Sequence, residues 1–367
     1  MKKASWRILF KYINLTNDFL LLNTERKLAM KYLTFAIPSY NSEDYLQRCV
    51  DSLLKGGDGV EILIVDDGST DQTPAIADDY AAKYPNIVKA IHQKNAGHGG
   101  AVNNGLAHAT GKYFKVVDSD DWLDEKALKS VLAHIKDWDK HGQNVDMLVC
   151  NYVYENYYQH KSFVVNYRHV FPNDQICGWD DTKHFGVTQY LIMHSLIFKT
   201  AILRRSGVKL PEHTFYVDNL FADQPLPLVH KICYLDLDLY RYFIGRADQS
   251  INEDVMISRI DQQIRVTKLV ADCTQHNDNP SSKLRTYLDR SVSVMLAVSS
   301  VHLLLMGTDE ALAKRHAMWQ YVKTVDKQLY WRLRLHSVSA WTYLPTRLGR
   351  FLTVTGYRAS RLLVKFQ

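Results

Sequence analysis

The sequence predicts an α/β protein with a mostly parallel, doubly wound sheet, followed by a mainly helical and basic C-terminal region. Three observations predict this. Residues 33 to 153 alternate short aliphatic, β-branched runs with segments of helical periodicity. Polar clusters at 38–41, 66–69 and 118–121 each follow one of those apolar runs directly. From about residue 255 strand signals give way to helical ones, and Ala311 to Gln367 carries eleven Lys/Arg against one acid, Asp326.

Leu33 to Ile37 reads as the first strand, stopped by Pro38. A helix follows, with Ser42 as its cap and Tyr45, Leu46, Cys49, Val50 and Leu53 as its apolar stripe. Glu61 to Val65 is the second strand, ended by Asp66-Asp67-Gly68-Ser69, and the next helix stops near Lys83, before Pro85. Asn86 to Ile91 makes a third strand. The glycine-rich turn Gly97-His98-Gly99-Gly100 leads into a helix near Val102 to Ala109, and Tyr113 to Val117 is the fourth strand. A helix from Asp124 to Lys140 and a strand from Asp146 to Asn151 complete the pattern. Repeated βαβ units place ligands beyond the carboxyl ends of the strands, where all three polar clusters fall. The chain then becomes irregular, and His194, on an apolar run, reads as a core histidine. The expected organisation is an appendage over 1–30, a sheet domain over 31–254 with halves meeting at 150/151, and a helical region over 255–367.

Composition bounds the function. Apolar content of 46% and charged content of 23% are ordinary for a soluble globular chain. Cys49, Cys150, Cys177, Cys233 and Cys273 form no CxxC pair and no zinc spacing, which fits a reducing compartment. The run from Val292 to Met306 is shorter than a typical span of ~20 residues and holds three serines and His302, so a buried helix is expected. In the basic tail, Arg347, Arg350, Arg358, Arg361 and Lys365 fall near one helical face. Leu348, Phe351, Leu352, Leu362, Leu363 and Phe366 fall near another, a pattern suited to an anionic membrane surface. No nucleic-acid motif accompanies the charge, so no nucleic-acid partner is expected. The first thirty residues show no secretory signal, and the expected place is the cytoplasm, peripheral at the inner face of the cell membrane.

The acidic run Asp118-Ser119-Asp120-Asp121 is the most informative stretch. Period-two alternation puts Asp118 and Asp120 on one face of the strand end. Mutual repulsion is relieved by a divalent Mg or Mn ion whose shell substrate phosphates complete. A solvated turn, with Asp121 or Asp124 capping the next helix, is the plain alternative.

Taken in order, Leu33 to Asn41 (LTFAIPSYN), Val65 to Asp71 (VDDGSTD), Asn95 to Gly105 (NAGHGGAVNNG) and Asp118 to Asp121 (DSDD) resemble the family 2 glycosyltransferases of GT-A fold. The resemblance implies a nucleoside-diphosphate-sugar donor, usually UDP-linked, a Mg or Mn ion on the Asp-x-Asp element, and transfer with inversion. It implies donor contacts from Pro38, Tyr40 and Asn41, from one of Asp66 and Asp67, from Gly97 and Asn103, and from Asp118, with Asp120 and Asp118 at the metal. Where many relatives carry Arg, this chain has Val102, so a cationic contact to the donor is missing or supplied elsewhere, with Lys94, His98 and Arg246 as candidates. Phe215 to Phe221 (FYVDNLF) resembles the family's Glu-Asp motif with Val217 in the first place, which implies Asp218 as general base. Tyr242 to Ser250 resembles a short Arg-x-x-x-Ser tail, which implies a diphosphate contact from Arg246. The acceptor implied is a glycan or lipid-linked hydroxyl of bacterial exopolysaccharide, capsule or teichoic-acid assembly. The alternatives are a sugar-phosphate nucleotidyltransferase, which needs an Arg- and Gly-rich loop where this chain has Pro38 to Ser42, and a non-catalytic carbohydrate-binding scaffold.

Overall fold

The structure is a computed structural model and describes residues 31–156, 159–186, 189–245, 253–275, 279–344 and 346–363. Strands β1 (Leu33–Ser39), β2 (Val60–Asp66), β3 (Val88–His92) and β4 (Tyr113–Val116) lie parallel in the order β3-β2-β1-β4. β1 is buried along its whole length, as a central strand covered on both faces must be. Helices α1 (Leu46–Leu54), α2 (Thr73–Lys83), α3 (Gly97–His108) and α4 (Glu125–Lys140) connect and cover these strands.

Beyond β4 the sheet becomes mixed. The short strand β5 (Trp122–Leu123) is followed by β6 (Met147–Asn156), β7 (Lys161–Val165), β8 (Ile176–Cys177), β9 (Leu196–Lys199) and β10 (Ile232–Ile244). The full order is β3-β2-β1-β4-β9-β6-β10-β5, with β7 on β6 and β8 on β10. β9 runs antiparallel to both neighbours, while β6 and β10 pair in parallel. A four-residue strand gives too short an alternation to stand out in a sequence, which is why this half reads as irregular.

Helix α3 starts at Gly97, five residues before the expected Val102. The Asp67 carboxylate accepts from Ala96 N at 2.8 Å, so the helix entrance is held from the β2 loop. Its glycines then serve packing, since a Cβ on Gly105 would lie 2.6 Å from that of Ala36. Asp124, not Asp121, caps α4, accepting from Ala127 N at 3.0 Å.

The helices α5 (Thr200–Arg205) and α6 (Asp218–Asp223) flank β9 and β10. After them come α7 (Glu253–Ser258), α8 (Ile260–Cys273), α9 (Ser282–Met306), α10 (Asp309–Val325), α11 (Lys327–His336) and α12 (Arg347–Leu363). α9 has 25 residues, longer than the apolar run alone, because Ser281 caps it well upstream. By length and hydropathy it could cross a membrane, but Leu284, Leu288, Val292, Leu296 and Leu303 are buried inside the protein. Its serines are spent on neighbours: Trp319 Nε1 donates to Ser300 Oγ at 3.1 Å, and Thr267 bonds Ser299 at 3.0 Å. α9 is therefore a core helix that binds the helical region to the sheet.

Candidate active site

The site forms where β4 ends. Asp118 Oδ1 accepts from His98 Nε2 at 2.9 Å, and Oδ2 accepts from His194 Nε2 at 3.1 Å. Tyr240 OH receives Asp118 N at 3.1 Å and donates to Asp121 Oδ2 at 2.5 Å. The other Asp121 oxygen accepts from Phe243 N at 2.8 Å. Two imidazoles and the end of β10 thus hold the acidic turn. Asp121 is fully buried, whereas Asp120 is partly exposed and its carbonyl accepts from Arg48 at 2.7 Å.

The charges follow from this packing. Burial works against ionised Asp118, but His98 and His194 outweigh it and hold the carboxyl well below its usual range. Burial disfavours charged His98, yet Asp118 raises it above its ordinary value. Asp121 is pushed well up, first by burial and then by the charges of Asp120 and Asp118. Beneath them lies Lys115, fully buried, with Nζ donating to His194 O at 2.6 Å and to Leu196 O at 3.3 Å. Burial pushes this lysine down to about 7.

Asp118, Asp121 and His194 each offer a ligand atom, all within 4.8 Å of one another. Carboxylate oxygens suit Mg or Mn, and an imidazole beside them suits other divalent transition metals as well. The sequence placed the ion on Asp120 and Asp118. The close-set cluster shares Asp118 with that pair and adds Asp121, turned inward against Tyr240, and His194. His194 itself is no ordinary core histidine, since its Nε2 is turned onto Asp118. Its carbonyl on Lys115 and its ring 4.8 Å from that of Tyr240 fix this placement.

Asp218 opens α6, directly after Val217 (buried) and Tyr216, whose φ of 66° is a strained value for a bulky residue. Burial raises its carboxyl, the neighbouring His194 and His98 lower it, Asp118 raises it, and the net result is upward. Asp218 thus lies within the electrostatic reach of Asp118, His98 and His194.

The other expected residues have clear places. Pro38 is buried in β1 opposite Val65, and Tyr40 is 53% exposed. Asn41, at φ 48°, accepts from Thr70 N at 2.9 Å and so ties the first loop to the second. Asp66 spends both oxygens on Ser69 N and His92 Nδ1. Asp67 uses Oδ1 for both Gln93 Nε2 and Ala96 N. Gly97 takes a φ of +75°, and the room left by its absent Cβ is filled by the His213 backbone. Asn103 bonds both Leu210 N and Leu210 O, at 2.9 and 2.8 Å, so it holds the 210–213 loop. Of the three candidate cations, His98 meets the acidic turn, and Arg246 lies outside the described residues. Sequence reasoning missed His194, Tyr240, Asp121 and Lys115 as site residues. The pair Tyr240-x-Tyr242 beside Tyr152-x-Tyr154 was the available signal for Tyr240.

Residues 34–206 match the model of glycosyl transferase family 2. The chain carries a family 2 glycosyltransferase domain. GlyA of Streptococcus pneumoniae, named a glycosyltransferase, is 28% identical over 228 residues, covering 59% of this chain and 31% of GlyA. GgaA of Bacillus subtilis, named a minor teichoic acid biosynthesis protein, is 38% identical over 101 residues, covering 26% of this chain and 23% of GgaA. The chain thus aligns with a third or less of these relatives' length. Among solved structures, residues 1–349 of S. aureus TarS match with a TM-score of 0.63 and 20% identity, covering 90% of this chain and 92% of that one. The same TarS fragment in complex with UDP-GlcNAc matches at 0.61. These likenesses show that the glycosyltransferase domain has the GT-A type of fold.

Proposed function

We propose that this glycosyltransferase moves a sugar, with inversion, from a UDP-linked donor to a hydroxyl of a glycan or lipid-linked acceptor in bacterial exopolysaccharide, capsule or teichoic-acid assembly. The observation that carries the reading is the cluster of Asp218 with Asp118, itself gripped by His98 and His194. Asp218, raised above an ordinary carboxylate, takes the acceptor proton as the hydroxyl oxygen bonds the anomeric carbon. The carbon–phosphate-oxygen bond breaks, and its electron pair leaves with UDP. Asp118 and the exposed Asp120, with Asp121 and His194 close behind them, would hold a divalent Mg or Mn ion. Such an ion would offset the negative charge of the leaving diphosphate.

On the donor side, Asp67 keeps Oδ2 without a protein donor among the described residues, whereas Asp66 uses both oxygens internally. This supports Asp67 as the base-contacting carboxylate. The exposure of Tyr40 on the first loop supports a contact with the nucleoside. Pro38, Asn41, Gly97 and Asn103 shape the loops rather than offer free polar atoms, and Arg246 is retained as a proposed diphosphate contact. A peripheral membrane location is supported by the C-terminal surface: Trp331, Leu335, Val338, Trp341, Leu348, Phe351 and Leu352 are each more than half exposed, amid Arg334, Arg347, Arg350 and Arg358.

Release of UDP from a panel of UDP-sugars, for wild type and Asp218→Asn, tests the reading. Wild type should release UDP with at least one donor and the variant should not. Pyrophosphate in place of UDP would indicate nucleotidyl transfer, and release of neither would indicate a binding scaffold.

A further inference from the structure

The carboxyl ends of β6 and β10 carry tyrosines in register. Tyr240 pairs with Tyr152 and Tyr242 with Tyr154, so period-two alternation sets all four rings on one face. The inner pair, Tyr152 and Tyr240, is buried, while Tyr154 and Tyr242 at the strand ends are partly open, their rings 5.4 Å apart. The Tyr242 ring lies 4.6 Å from that of His194, which in turn bonds Asp118. A third open ring, Tyr190, is 41% exposed and shares a small cavity with Asn219, the neighbour of Asp218. Tyr216, also partly open, immediately precedes Val217 and Asp218. Burial raises the phenols of Tyr154, Tyr190, Tyr216 and Tyr242, and the charge of Asp218 adds to each.

A packed core would close over such rings, and a phosphate site would present cations. Among the described residues, the Arg259 guanidinium lies 3.5 Å over the Phe215 ring, and Arg290 donates to the carbonyls of Phe185 and Gly186. Open aromatic faces around a carboxylate base suit the C–H faces of a sugar ring, with the phenol edges left for its hydroxyls. We propose that Tyr154, Tyr190, Tyr216 and Tyr242 form the acceptor platform and that it takes a neutral sugar ring rather than a polyol phosphate. This rests on the assignment of Asp218 as the base and narrows the acceptor class for that site.

The test uses the full chain with UDP and Mn, and observes bound acceptor mimics by saturation-transfer NMR. The probes are a neutral trisaccharide (chitotriose and cellotriose in parallel) and ribitol 5-phosphate. UDP affinity is measured separately by calorimetry. The expected result is saturation of ring protons in a neutral trisaccharide, weakened at least tenfold by Tyr190→Ala and retained in Tyr190→Phe, with UDP affinity unchanged in both. Tyr190 is open to solvent, so its truncation leaves the core intact, and Tyr242→Leu gives a second reading of the same surface. No trisaccharide binding while UDP binds normally, binding indifferent to both substitutions, or a preference for ribitol 5-phosphate would each overturn the platform alone. A wild-type chain that binds no UDP would instead remove the donor reading and this inference with it.

Discussion

His194 Nε2 lies 3.1 Å from Asp118 Oδ2 and bridges 76 residues of sequence, joining the strand β9 region to the acidic turn after β4. With the opposite oxygen taken by His98, the carboxylate has one fixed orientation. His194→Ala should therefore slow UDP release by roughly 10- to 100-fold, the usual cost of losing a partner that orients a charged ligand group. Initial-rate assays check this, with thermal unfolding to confirm the fold. A rate within twofold of wild type would reduce the contact to packing.

As the proposed base, Asp218 would act only when ionised, and its carboxyl is raised by burial and by Asp118. Activity should consequently rise with pH across a limb displaced above the ordinary carboxylate range. Asp218→Asn should lose about 10²- to 10⁴-fold in rate. The pH profile of kcat/KM reads the limb directly.

Asp223 is a separate case, 2% exposed and accepting from Ser291 Oγ, with burial pushing it up to about 7. Folded protein keeps this proton between the unfolded carboxylate value near ~4 and about 7, while unfolded protein has lost it. Its contribution to stability is thus full below ~4, falls as pH rises through that window, and is flat above it. Asp223→Asn keeps a neutral side chain at every pH. It should raise Tm by roughly a few degrees at pH 8 and change it little near pH 4. Calorimetric scans at both pH values measure the difference.

Gly97 sits at φ +75° with the His213 N atom 2.9 Å from where a Cβ would be. Gly97→Ala should destabilise the protein by about 1–3 kcal/mol through backbone strain and displacement of the 210–213 loop. Urea unfolding should show a lower midpoint with an unchanged slope.

The C-terminal surface gives a prediction about lipid. Reversing Arg347 and Arg350 to Glu should weaken binding to phosphatidylglycerol vesicles by about 30-fold or more, given ~1 kcal/mol per basic residue at an anionic surface. Wild-type binding should also fall as salt is raised. Vesicle sedimentation measures both, and equal binding to neutral phosphatidylcholine would remove the electrostatic account.

The parallel half of the sheet was readable because β1, β2 and β4 are continuous apolar runs, each ending in an abrupt polar cluster. The acidic triplet was readable for the same reason. Sequence could not show which carboxylate turns inward, because Asp121 is selected by Tyr240 and Phe243, about 120 residues later. Nor could it promote His194, whose role depends on an antiparallel strand of four residues and on a buried lysine beneath it. Gly97 and Asn103, expected at the donor, also hold the chain's own 210–213 loop, a contact more than 100 residues away that no local pattern signals. In each case the missing information was a long-range contact, not a local preference.

The way α9 reaches back into the sheet has a practical corollary. Tyr287 OH donates to Leu191 N at 3.0 Å, Arg290 holds the carbonyls of Phe185 and Gly186, and Ser291 grips Asp223, so one helix clasps the chain on both sides of His194 and just behind Asp218. A fragment trimmed to the sheet would leave His194 and the proposed base Asp218 without these contacts. The start of α9 thus supports the segments that carry His194 and Asp218, and a shortened version should lose the proposed activity if it lacks residues through Ser291.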